Sequence, residues 1–204
     1  MKNLKVSILS ASLLLIICLG LFTINSLSVQ ASSKEKIISF HAQVKPYEKL
    51  AELEKEATII VQGVFTGERK SNPLDLSKGK LFSSDSMVEV KRVIKGDLEG
   101  KENIIVYEPG YIRDEDSTFV TIDGYTLLNE RGKYTLFLKP VDGLDGYAIV
   151  GLFQGKYNHD IQKSGNKVMP SFDLDQLAKV DYFGEHVQQF NQLKEEVLNK
   201  YSWE

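Results

Sequence analysis

The chain has one cysteine, Cys18, and three histidines among 204 residues. One cysteine excludes a disulfide framework and a multi-cysteine zinc site. His41, His159 and His186 are far apart in sequence and lack metal-ligand spacing. Positive charge is not in excess either, with 25 Lys and Arg against 28 Asp and Glu. The formal net charge is −3, whereas proteins that track phosphate backbones need a basic face, so a nucleic-acid partner is not expected. The sequence has no Gly-x-Ser-x-Gly elbow, no Ser-x-x-Lys set and no internal repeat. Asp114-Glu115-Asp116 with Asp123 invites a calcium reading. Counting from Asp114, however, Phe119 and Tyr125 stand where a calcium loop needs Gly and Glu. No catalytic residue, metal or cofactor is assigned from these patterns.

What is present begins with an export signal. Lys2 and Lys5 precede a stretch, residues 6–33, without any charge. Its core, residues 13–22, is apolar or small, and Val29-Gln30-Ala31 supplies small residues at the positions signal peptidase reads. Cleavage is expected between Ala31 and Ser32, making residues 1–31 a signal peptide and the product secreted. An uncleaved membrane anchor is the alternative, though a span of about 20 apolar residues is reached only by counting Ser, Thr and Asn. Cys18 lies in mid-segment behind Ile17 and reads as apolar filler instead of a lipid-attachment site. Loss of the leader removes the only cysteine and two lysines. Residues 32–204 remain, enough to bury roughly 70% of the unfolded surface.

Hydrophobic periodicity then divides the chain. Residues 32–45 read as a polar leader. Pro46 opens an expected helix in which Leu50, Leu53 and Ala57 share a face. β-branched runs predict strands at 59–67, 86–94, 103–108, 132–139 and 147–157. Gly63 predicts a bulge in the first. Residues 68–84 and 111–125 read as long loops, 140–146 as a turn, and 160–170 as a hairpin turn. After a cap at Ser171 or Asp173, Leu174, Leu177, Val180, Phe183, Val187, Phe190, Leu193, Val197 and Tyr201 recur at three and four, an amphipathic helix that Gly184 kinks or splits.

Five short strands with interior glycines suggest a mainly β protein with flanking helices: an OB-like barrel over 46–170 and a helical segment, 171–204, packed on it.

The order of four segments resembles a group of exported proteins of Gram-positive bacteria, mostly uncharacterised. Ala57 through Val64 corresponds to their Val-x-Gly-x-Val strand, and Val90-Lys91-Arg92-Val93-Ile94-Lys95-Gly96 to their Val-x-x-Val-x-Lys-Gly end. Leu128 through Leu138 corresponds, with slightly different spacing, to a Leu-x-x-Gly-x-x-Tyr-x-Leu-Phe-Leu strand. Gly151-Leu152-Phe153-Gln154-Gly155-Lys156-Tyr157 matches the last. The pattern is also similar to the netrin-type domain of tissue inhibitors of metalloproteinases, an OB barrel. That family's inhibitory element is an N-terminal Cys-x-Cys, which Ser32-Ser33-Lys34 lacks. The resemblance therefore implies the barrel and carries over no functional residue. The expected function is an exported, non-enzymatic module that binds a protein, peptide or envelope component near the 68–84 and 140–146 loops. A carboxylate or metal hydrolase and a protease inhibitor acting through its loops are the alternatives.

Overall fold

The computed structural model describes residues 36–42, 46–71, 84–161 and 174–203. Both sides of the expected cleavage point, Ala31 and Ser32, lie outside the described residues, as do Ser171 and Asp173.

Five strands close into a barrel. In chain order they are β2 (Ile59–Ser71), β3 (Ser84–Lys95), β4 (Asn103–Glu108), β7 (Lys133–Pro140) and β8 (Tyr147–Ile149). Around the barrel the order is β2-β3-β4-β8-β7, and β7 pairs back onto β2. All neighbours are antiparallel except β4 and β8, where Val106 faces Tyr147. In barrel-strand numbering that is 1-2-3-5-4-1 with a parallel 3–5 pair, an OB-type closure.

The pairing β2 makes on both edges requires curvature. Its register slips against β3 between Gln62 and Gly63, the bulge expected there. A Cβ at Gly63 would sit 2.5 Å from the Val88 side chain, so only glycine lets these strands approach. A further irregularity between Phe65 and Arg69 lets β2 resume beyond Gly67, and Arg69, Lys70 and Ser71 pair with Ser86, Asp85 and Ser84. The strand thus extends into residues expected to form a loop.

Three further expectations are corrected. The 32–45 leader contains β1 (Ile37–Phe40), which pairs in parallel with β6 (Phe119–Ile122). The 111–125 loop contains most of β5 (Gly110–Ile112) and all of β6, which pair antiparallel. These strands are three or four residues long, too short for a period-2 pattern to show. The fifth expected strand is broken by a turn at 150–155 into β8 and β9 (Lys156–Asn158), both lying along β7.

The first helix, α1 (Leu50–Glu56), starts four residues later than Pro46 suggests. Tyr47 is held by a side chain elsewhere: its N–H donates to Gln154 Oε1 at 2.8 Å and its carbonyl accepts from Gln154 Nε2 at 2.9 Å. The C-terminal helix is split, as Gly184 suggested, into α2 (Leu174–Leu177) and α3 (Val187–Lys200). The intervening chain bridges Tyr182 to Tyr125. Gly124, at φ +74°, would place a Cβ 2.3 Å from the Gly184 nitrogen, so two glycines permit this backbone crossing.

β7 is buried on both faces from Tyr134 to Leu138. Phe137 meets Tyr157 and Tyr201 edge-on, and Tyr157 stacks on Phe190 of α3 at 5.2 Å. The helix therefore covers the outside of the barrel, and burying its Phe190, Leu193 and Val197 stabilises the pair by about 1.5–3 kcal/mol per side chain. Among the described residues no helix is long and apolar enough to cross a membrane.

Candidate functional site

A mostly apolar hollow opens beside the bulged end of β2. It has a volume of 510 Å³ and is walled by Phe65, Arg69, Ile112, Phe119, Leu127, Leu128 and Leu177. A second, polar hollow of 490 Å³ adjoins it, formed by Arg131, Asn158, Asp160 and Lys179 among others. Asn129, Glu130 and Ala178 line both. The two make one groove, apolar at one end and charged at the other.

The groove floor is set by a buried carboxylate. Glu108 ends β4 with no exposed surface. Its Oε1 accepts from Arg69 Nε at 3.1 Å and Nη2 at 3.0 Å, and from the Ser86 hydroxyl. Its Oε2 accepts from the Tyr125 hydroxyl and the Leu128 N–H, each at 2.7 Å. Arg69 Nη2 also donates to the Leu128 carbonyl at 2.6 Å, and the guanidinium covers the Phe65 ring at 4.5 Å. Leu128 is thus clamped through both backbone groups. One cation faces one anion, so the apolar end is rigid and locally charge-balanced. Burial and the Glu108 charge push the Tyr125 hydroxyl far above its ordinary pKa, which keeps it a donor.

Backbone conformation supports the polar end. Arg131 has φ +59°, an uncommon setting for a long side chain, fixed by its N–H bonding to the Phe65 carbonyl at 3.1 Å.

A second charged cluster lies beneath α3. Asp181 accepts from Lys156 Nζ at 2.8 Å, Lys194 Nζ at 3.0 Å and the Asn158 N–H at 2.7 Å. All three charged side chains are 1% exposed. Burial alone would raise the Asp181 carboxyl, but the two ammonium groups hold it below the usual carboxylate range. Burial, and then repulsion from Lys156, leave Lys194 below the ordinary lysine value despite Asp181. No hollow described here opens onto these groups.

The histidines are placed as follows. His159 bonds Thr135 through Nε2 at 2.8 Å and lies against Trp203. Its proton affinity is lowered by burial and by Lys194, and it lines neither half of the groove. His41 and His186, distant in sequence, share a smaller hollow of 340 Å³ with Asp123 and Glu185. His41 Nδ1 is 3.3 Å from Asp123 Oδ1. Among the described residues no three His, Cys, Asp or Glu side chains are set to hold a metal. Asp123 is also removed from the acidic tip, where Asp116 pairs with Arg113, so the calcium candidates do not converge.

Of the expected 68–84 binding loop, Arg69 lines the groove and residues 72–83 lie outside the described residues, while 140–146 lines neither half. Residues 126–130, which form its floor, gave no sequence signal beyond Leu127-Leu128.

These features define an OB-type barrel with a lateral groove. Neither a protein-family model nor a curated protein matches the chain.

Proposed function

We propose that this chain is an exported binding module whose groove receives an extended peptide segment of a protein or envelope partner. The observation that carries the reading is the joined pair of hollows: an apolar end walled by Phe65, Ile112, Phe119 and Leu177, and a polar end carrying Arg131, Asp160 and Lys179. An extended segment with an apolar anchor followed by polar residues matches that layout, and a clamped floor lowers the ordering cost of binding. Export rests on Lys2, Lys5, the uncharged 6–33 stretch and the Ala31–Ser32 junction. The hydrolase reading draws no support from His159, which faces Thr135 and Trp203.

Panning a random peptide library on the protein tests the proposal. Retained peptides are expected to share an apolar residue next to polar ones and to bind at least tenfold more weakly to Ile112→Asp, a loss of about 1.4 kcal/mol. No retention above background, or equal affinity for Ile112→Asp, overturns it.

A further inference from the structure

Lys156 and Asp181 meet in a setting suited to more than an ion pair. Lys156 Nζ is 2.8 Å from Asp181 Oδ1, and is also held by Thr126 Oγ1 at 3.1 Å and the Asp181 carbonyl at 3.3 Å. The rings of Tyr125 and Tyr134, both fully buried, flank the amine at 5.0 and 5.5 Å. The other carboxylate oxygen, Oδ2, receives the Asn158 N–H at 2.7 Å and Lys194 Nζ at 3.0 Å. An amine is thus fixed beside one oxygen of a carboxyl group, while two donors converge on the other, in a place closed to water.

We propose that Lys156 and Asp181 condense into an intramolecular amide that joins β9 covalently to the segment before α3. Lys156 passes one proton to Oδ1, giving a neutral amine and a neutral carboxyl group. The nitrogen lone pair attacks Cγ, and the C=O electrons move onto Oδ2. There the Asn158 N–H and Lys194 hold the developing negative charge, as donors aimed at a tetrahedral intermediate do. The attacking nitrogen gives a second proton to Oδ1. The Cγ–Oδ1 bond breaks with its electron pair, and Oδ1 leaves as water. One C–N bond forms, one C–O bond breaks, and nothing is oxidised or reduced.

The environment favours the forward direction. The reaction exchanges the Lys156 cation and the Asp181 anion, whose desolvation is costly, for a neutral amide, and no charge stays stranded once Lys194, whose proton affinity burial already lowers, releases its proton. The aromatic walls limit access of water for the reverse reaction. Fixed proximity replaces a bimolecular encounter. Lys194 does not take part in the new bond; it is a positioning residue that acts on Oδ2.

Intact mass spectrometry of the purified, denatured protein reads the bond directly. The expected mass is lower than that of the chain by one water molecule, and tryptic digestion yields one branched peptide containing Lys156 and Asp181. Lys156→Arg, which keeps the charge without a nucleophilic amine, is expected at full mass. Lys194→Met, which retains packing volume, is expected to show a mixture in which the full-mass form is at least tenfold more abundant than in the parent. A parent protein at full mass, with Lys156 and Asp181 in separate peptides, overturns the proposal. Complete water loss in Lys194→Met overturns the role given to Lys194.

Discussion

The two buried charge clusters differ in stoichiometry, and the difference shows what each does. Around Glu108, one carboxylate meets one guanidinium, a hydroxyl pair and a backbone N–H. Arg69 keeps 18% of its side chain exposed. That cluster is balanced, touches the groove and shapes its floor. Around Asp181, before it is joined to Lys156, one carboxylate serves two ammonium groups, all shut from solvent. That cluster carries an excess cation and ties β9 and α3 to the chain between them. A balanced network at a surface positions a site. An unbalanced one in the interior is under electrostatic stress and depends on its single anion.

Removing that anion is the strongest way to break the comparison. Asp181→Asn leaves two buried cations facing an amide, and urea unfolding is expected to show a loss of about 3–5 kcal/mol. Glu108→Gln is expected to cost less, about 2–3 kcal/mol, because the Arg69 charge it strands is partly solvated; its second effect is loss of peptide binding as Leu128 is released. Gly124→Ala perturbs the crossing that brings Asp181 into place. Positive φ and contact with Gly184 predict a loss of about 2 kcal/mol, read as a lower thermal midpoint. Compared among chains without the Lys156–Asp181 bond, Lys194→Met removes the excess cation and keeps the volume, so its cost in stability is expected to stay below about 1 kcal/mol.

Acid sharpens the same contrast more gently. His159 and Asp181 both have folded pKa values below their ordinary ones, the first through burial and Lys194, the second because Lys156 and Lys194 outweigh burial. The unfolded chain then binds protons more readily than the native one. The stabilisation is present above the unfolded pKa and is lost as pH falls through the folded value. His159 therefore gives a loss below its ordinary value of 6.5, and Asp181, in chains where its carboxyl group is not joined to Lys156, gives one below 3.8. His159→Gln is expected to flatten the first decline and leave the second.

Much of the barrel was legible because its strands are long enough for pattern to act. Asn103–Glu108 appears with the expected bounds, and β3 and β7 within two residues of them. β7 is buried on both faces because α3 covers the one that would otherwise meet water. β1, β5 and β6 offered too few residues for a period. The charged clusters were hidden because Arg69 and Glu108, or Lys156 and Asp181, meet only in three dimensions. One signal was available. Lys194 stands four after Phe190 and three before Val197, on the apolar stripe of α3. A lysine on such a stripe requires a buried carboxylate.

The groove is tested most directly by titrating a selected peptide into isotope-labelled protein and following backbone amide shifts by NMR. The account predicts perturbations confined to Phe65, Arg69, Ile112, residues 127–131 and Leu177. Perturbations centred instead on Met87, Lys91 and Ile105, outward on β3 and β4, would contradict it.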